Sequence, residues 1–206
     1  MNPTSQWILI GACVLTLFLA VYVVWWQPKR LDERLSESLK AFAKAVELRF
    51  PNHSGLTEEV EELSLSVGSR LGFSPRHLRN LRMATYLRDI GLCATPYRLV
   101  NDRSDKAWTA SDKAVYDRHP EVGSAMLQLI PSLTGLAEIV RTHHESSGRF
   151  DRPPTVNDVL PATTAYAWIA KHDGEQAALF HLGANVGQLY HPAVVQAIGS
   201  QVSSRS

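Results

Sequence analysis

The sequence is poor in several things that narrow its class. Only two cysteines, Cys13 and Cys93, occur among 206 residues, which excludes a disulfide framework and a Cys-rich zinc site. Neither sign of charge dominates: 21 Lys and Arg stand against 20 Asp and Glu, a formal net charge of +1. Counterion-release binding needs a clustered basic excess, so nucleic acid is not an expected partner. There is no alternating apolar-polar strand pattern, no internal repeat and no low-complexity tract. With 45% apolar and 20% charged residues, the chain is too apolar for a disordered one.

What is present begins near the N-terminus. Trp7 to Trp26 reads WILIGACVLTLFLAVYVVWW, twenty residues without a charge. At 1.5 Å rise per residue such a helix is about 30 Å long, the thickness of a bilayer's hydrocarbon core. Trp7 at one end and Trp25 and Trp26 at the other fit interfacial aromatic belts. A cleaved signal peptide fits less well, because MNPTSQ carries no basic residue, the apolar run is too long, and no small-residue cleavage site follows. Lys29, Arg30 and Arg34 come directly after the span, so the positive-inside rule places residues 27 onward in the cytoplasm and the N-terminus outside. The expectation is a single-pass protein of the inner (cytoplasmic) membrane, its first partner a lipid bilayer. On that topology the Asn52-His53-Ser54 sequon has no glycosylating compartment.

The remainder reads as helix after helix. Leu31, Leu35, Leu39, Phe42 and Val46 form a stripe over 31–49 that packs on the domain or pairs two chains as a homodimer. Leu56, Val60, Leu63, Val67 and Leu71 share a face that ends at Gly72. Ser74-Pro75 opens a helix expected to run through Leu87 to Gly91, followed by a loop of about fifteen residues that contains NDRSDK at 101–106. Thr109 and Asp112 suggest a capping box. Further helices are expected over 133–145, 157–172, 174–186 and 192–201. The soluble part is expected to be all-α, six or seven helices around one core.

Eight histidines are a modest excess. His143 and His144 are adjacent on an expected helix and point about 100° apart. His119 precedes a proline at a helix junction, and Asp89 lies in LRDIG at a helix end. Taken singly, each has an ordinary role as a surface or capping residue.

The order of segments adds more. AFAKAVELRFPNHSGL at 41–56, LRMATYLRDIGLCATPYRLV at 81–100, TASDKAVYDRHPEVG at 109–123, VRTHHE at 140–145, LPATTAYAWIA at 160–170 and GQLYHPAVVQAI at 187–198 together resemble the HD-GYP branch of the HD phosphohydrolases. The resemblance runs from about Leu39 to Ile198. It implies an HD-domain-like helical bundle behind a single N-terminal transmembrane helix. The implied division is a non-cytoplasmic tail at 1–6, the span at 7–26, a juxtamembrane helical linker at 27–38, the HD-GYP-like domain at 39–201 and a disordered tail at 202–206. Active members of that branch hydrolyse cyclic di-GMP at a cluster of two or three metals.

Asp89, His119, His143 and His144 stand at positions that the resemblance gives to metal ligands. Other positions depart from it. Leu56 stands where the first ligand histidine is expected, with His53 three residues upstream as a surface residue. Arg88 replaces the histidine of the HD dyad, Leu92 a nearby lysine, and Lys171 the last ligand aspartate. The loop SSGRFDRPP keeps Pro153 without the signature's Gly-Tyr. Arginine has no lone pair to give a metal, and a divalent ion repels a lysine cation. Two readings of Arg88 stay open: with Lys171 it compensates the Asp89 charge, or it snorkels outward.

The resulting expectation is a catalytically inactive, membrane-anchored HD-GYP-like module, a binding or interaction element in bacterial cyclic dinucleotide signalling. Arg88, Asp89 and Lys171 are then a vestigial catalytic site. No cofactor is expected, or at most one divalent ion (zinc, iron or manganese) on Asp89, His119, His143 and His144. An unidentified cytoplasmic protein and a cyclic dinucleotide are the expected partners. The alternative is a metal-dependent phosphohydrolase, a cyclic di-GMP phosphodiesterase with a reduced metal site.

Overall fold

The structure is a computed structural model that describes residues 2–101, 107–145 and 148–204. It falls into two units, Met1–Ser38 and Leu39–Ser206. The first unit carries α1 (Pro3–Val21), a five-residue π-helical stretch at Tyr22–Trp26 and the start of α2 (Gln27–Arg49). None of the side chains of α1 is buried. Among the described residues one helical run, Pro3–Arg49, is long and apolar enough to cross a membrane.

The second unit is all-α. Its helices are the end of α2, then α3 (Leu56–Arg70), α4 (Pro75–Leu87), α5 (Tyr97–Asn101), α6 (Ala110–Tyr116), α7 (His119–Gln128), α8 (Thr134–Arg141), α9 (Val156–Asp173), α10 (Glu175–Ala184) and α11 (Pro192–Ser203). Single 3-10 turns lie at Pro51–His53 and Ile90–Ala94. Among the described residues the only bridge outside helices is Val186 with Tyr190.

The apolar stripes explain the packing. Leu56, Val60, Leu63 and Val67 are buried, and α3 packs against α4, α9 and α11. Of the stripe over 31–49, Leu39 and Val46 are buried in the second unit together with Ala43, which the stripe did not include, whereas Phe42 is 58% exposed. Phe42 precedes Ala43 by one residue and so points about 100° away from that face. Gly72, with φ +75°, ends α3 in the left-handed conformation that favours glycine. Its neighbour Phe73 donates its N–H to Gly68 O at 3.0 Å.

Helix starts agree with the sequence signals. Ser74 Oγ accepts from His77 N with Pro75 at the first position of α4. Thr109 and Asp112 cap α6 reciprocally, and Thr155 and Asp158, not singled out in the sequence, do the same for α9. Two helix ends differ from expectation, and both matter for the site. Helix α4 stops at Leu87 instead of Gly91, because Asp89 leaves helical geometry at φ −96°, ψ 6°. Helix α8 stops at Arg141, with Thr142 at φ −100°, ψ 12°, so His143 and His144 lie in the turn after it. Residues 102–106 of the charged stretch expected at 101–106 lie outside the described residues. Part of the remaining fifteen-residue connection forms the 3-10 turn and α5.

Candidate metal centre

The side chains of interest sit at helix ends, where chain direction changes and several elements converge. Asp89 follows α4, His119 opens α7, and His143 and His144 follow α8. Carbonyls at helix C-terminal ends carry partial negative charge, which favours a cation near them. Gly91 permits the convergence. A Cβ built at Gly91 would lie 1.9 Å from the backbone oxygen of His119 and 2.7 Å from the backbone nitrogen of Gly123. Only glycine lets the 3-10 turn close onto the start of α7 and bring Asp89 beside His119.

The three histidines face one another. His119 Nε2 lies 3.3 Å from His143 Nε2 and 3.3 Å from His144 Nε2. The outer nitrogens settle two tautomers. His119 Nδ1 is 2.8 Å from Tyr116 O and His143 Nδ1 is 2.6 Å from Val140 O. A carbonyl oxygen only accepts, so both Nδ1 atoms carry the proton and both Nε2 atoms present lone pairs inward. Two lone pairs at 3.3 Å repel unless a proton or a cation lies between them. A ring N–H donated to a backbone carbonyl is also the usual arrangement behind a metal-bound histidine.

Asp89 completes the set. Its Oδ1 is 3.8 Å from His119 Nε2 and 3.9 Å from His143 Nε2. Nitrogens bound to one tetrahedral zinc lie roughly 3.3 Å apart, so the histidine spacing fits a single ion. The donor chemistry, three imidazoles and one carboxylate, fits a borderline divalent cation such as zinc, iron or manganese.

The charge states suit this. Burial, followed by the neighbouring imidazoles, holds His143 well below its ordinary value. Burial lowers His119 as well, although Asp89 opposes the shift. His144, the exposed member of the three, is pushed down to about 4 by partial desolvation and then by His119. Burial, the largest single influence, would raise Asp89, but Arg88, His53 and His143 together outweigh it, and the carboxyl is held well below the usual range. Neutral imidazoles beside an ionised carboxylate are the forms that bind metal.

Arg88 points inward and is 2% exposed, so it does not snorkel outward. Its Nη2 lies 3.0 Å from Asp89 Oδ2, and its Nη1 donates to Thr85 O at 3.0 Å. Lys171 does not share this role. Its ammonium donates to Ser54 O and the side chain is exposed, so the expected pairing of Lys171 with Asp89 does not form. Four α9 side chains line the same cavity as Asp89, Ala165, Trp168, Ile169 and the hydroxyl-bearing Thr164. Lys171 lies seven residues on, about 10 Å further along the helix axis. Leu92 is turned away into an apolar cluster with Val46, Phe50 and Val100. Leu56 lines the cavity without a donor atom.

His53 corrects the sequence reading most. It is 3% exposed and not a surface residue, and its Nδ1 is 3.8 Å from Asp89 Oδ2. The 3-10 turn at Pro51–His53 breaks the helical register upstream of Leu56 and turns this imidazole inward. A cavity of about 380 Å³ opens beside these groups, lined by His53, Asp89 and His144 and by the rings of Trp108, Tyr116 and Trp168. None of these rings was singled out in the sequence.

Histidines and an aspartate gathered at the helix ends of an all-α domain define a class, the helical domains with a candidate metal centre. The chain matches the HD domain family over residues 40–151 and belongs to it, as an HD-GYP-like HD domain. It is 28% identical over 184 residues to the cyclic di-GMP phosphodiesterase response regulator RpfG of Xanthomonas campestris pv. campestris. That similarity covers 82% of this chain and 48% of the relative, so the chain spans about half the relative's length. Among solved structures it is similar to Bd1817, an HDG"Y"P protein from Bdellovibrio bacteriovorus, with a TM-score of 0.61 and 17% identity. That likeness covers 84% of this chain and 64% of Bd1817 and concerns the fold.

Proposed function

We propose that this chain is a membrane-anchored HD-GYP-like module that binds a phosphorylated ligand, of the cyclic dinucleotide class, without turning it over. Its place would be as a binding element in bacterial signalling, held in the inner membrane by residues 7–26 with the domain in the cytoplasm. The observation that carries the reading is the Arg88 guanidinium 3.0 Å from Asp89 Oδ2. A fixed cation on one side of the carboxylate takes up charge that a second metal ion would otherwise neutralise.

His119, His143, His144 and Asp89 would hold a single divalent ion, which supplies Lewis-acid polarisation of a phosphoryl oxygen. Arg88 balances Asp89. Trp108 and Trp168 offer flat apolar faces along the cavity for a purine ring. Lys113 lines the same cavity and pairs with Asp117 at 2.9 Å. The α9 side chains on this wall, Thr164 among them, carry no charge, and no lysine stands at position 92.

The same histidine spacing favours a second reading, a one-metal phosphohydrolase with reduced turnover. The full-length protein in detergent, loaded with manganese, separates the two. Saturable cyclic di-GMP binding without hydrolysis supports the binding module. Hydrolysis lost in both His143→Ala and Asp89→Ala supports the enzyme.

A further inference from the structure

We propose that His53 is a fifth donor of the site, and that the space between it and Asp89 Oδ2 is a second cation position, closed in this chain by its own Arg88. This rests on the one-ion reading above and deepens it.

Three observations carry it. First, neither ring nitrogen of His53 has a hydrogen-bond partner, although the residue is 3% exposed. An unsatisfied buried polar group is costly, so an imidazole here with no partner within hydrogen-bond distance needs a reason. Second, its position is built. Glu47 Oε1 and Oε2 accept from the backbone N–H groups of Thr57 at 2.7 Å and Gly55 at 3.2 Å. Asn52 Nδ2 donates to Val100 O at 3.1 Å, and Gly55 has φ +80°, which only glycine adopts readily. The turn is thus fixed with the imidazole against the ring of Trp168, centroids 5.1 Å apart.

Third, Asp89 divides its oxygens. Oδ1 faces His119 and His143, at 3.8 and 3.9 Å, whereas Oδ2 faces Arg88 at 3.0 Å and His53 at 3.8 Å. A carboxylate with imidazoles on both sides is placed to serve two cations, and the guanidinium occupies the second side. Thr164 adds an oxygen, Oγ1, that is buried without a partner on the wall of the same cavity.

The test is Mn2+ stoichiometry by equilibrium dialysis of the full-length protein in detergent, with circular dichroism as the check on folding. The natural chain is expected to bind one ion, and Arg88→Ala two. His53→Ala is expected to keep one ion in the natural background and to return Arg88→Ala from two to one. Arg88→His serves as a second opening variant, with a donor in place of the charge. Electron paramagnetic resonance reads the same outcome, since two Mn2+ ions sharing Asp89 broaden each other's signal. Two ions in the natural chain, or one ion in both folded Arg88 variants, would overturn the second position. Persistence of the second ion without His53 would also overturn it. No ion in the natural chain, with one gained in Arg88→Ala and lost again with His53→Ala, would sink the one-ion reading and uphold the second position.

Discussion

Arg88 Nη2 lies 3.0 Å from Asp89 Oδ2, and the arginine is the more enclosed partner, with side-chain exposures of 2% and 16%. Removing the carboxylate therefore strands a buried cation, which typically costs about 3–5 kcal/mol. Asp89→Asn is expected to lower the melting temperature by on the order of 10 °C for a domain of this size. Arg88→Met leaves a better-solvated charge and should cost less. The double variant should recover part of the Asp89→Asn loss, and equal additive losses would show that the two side chains are not coupled.

Gly91 is the hinge of the site's geometry. With a Cβ there 1.9 Å from His119 O, the 3-10 turn must move away from α7. Gly91→Ala should destabilise by roughly 3 kcal/mol and weaken Mn2+ binding together with it, read by thermal unfolding and dialysis. A variant with natural stability and natural Mn2+ affinity would contradict this packing.

Acid should unfold the metal-free protein, and the sign follows from the direction of each shift. His119, His143 and His144 are all lowered from 6.5. The unfolded chain thus takes up protons near pH 6.5, before the folded one does. Their contribution is complete above pH 6.5 and is lost between there and the folded values, about 4 for His144. Asp89, also lowered, acts in the same direction but below 3.8. His144 is exposed and counts for less than His143, which is 0% exposed. Melting temperature should fall steadily from pH 7 to pH 4.5, and less steeply in His143→Gln. A flat profile over that range would contradict neutral, buried imidazoles.

Metal should stabilise the fold by mass action. An ion at a hundred times its dissociation constant adds about 2.7 kcal/mol, so Mn2+ should raise the melting temperature and a chelator reverse it. In His143→Ala the ion should have little effect.

Anchoring is separately testable. The full chain should stay in the membrane fraction after alkaline carbonate, and deletion of residues 3–26 should release it. Cys93 is exposed on the second unit, so in intact cells it should resist an impermeant maleimide until the membrane is opened. Immediate labelling would reverse the proposed orientation.

The helical architecture was legible because it rests on local signals: the Leu56–Val67 stripe, the Ser74-Pro75 start and the Thr109–Asp112 capping box are short-range physics. That Asp89, His119, His143 and His144 come together was legible through the order of motifs. What escaped was register and direction. A three-residue 3-10 turn decides that His53 points inward, and no periodicity reveals such a turn. Lys171 and Thr164 lie on the same side of α9, seven residues apart, so a helical pattern does not tell which one reaches the cavity. That Arg88 turns inward depends on an acceptor, Thr85 O, and a partner, Asp89, whose placement is tertiary.

The central claim is a site with one ion, where Arg88 stands for another and ligand binds without turnover. Its most direct measurement is parallel cyclic di-GMP binding and hydrolysis by the full-length protein at a known Mn2+ content. One ion per chain, saturable binding and no product above the His143→Ala background are the expected result. Stoichiometric metal with steady turnover, abolished in both His143→Ala and Asp89→Ala, would contradict it.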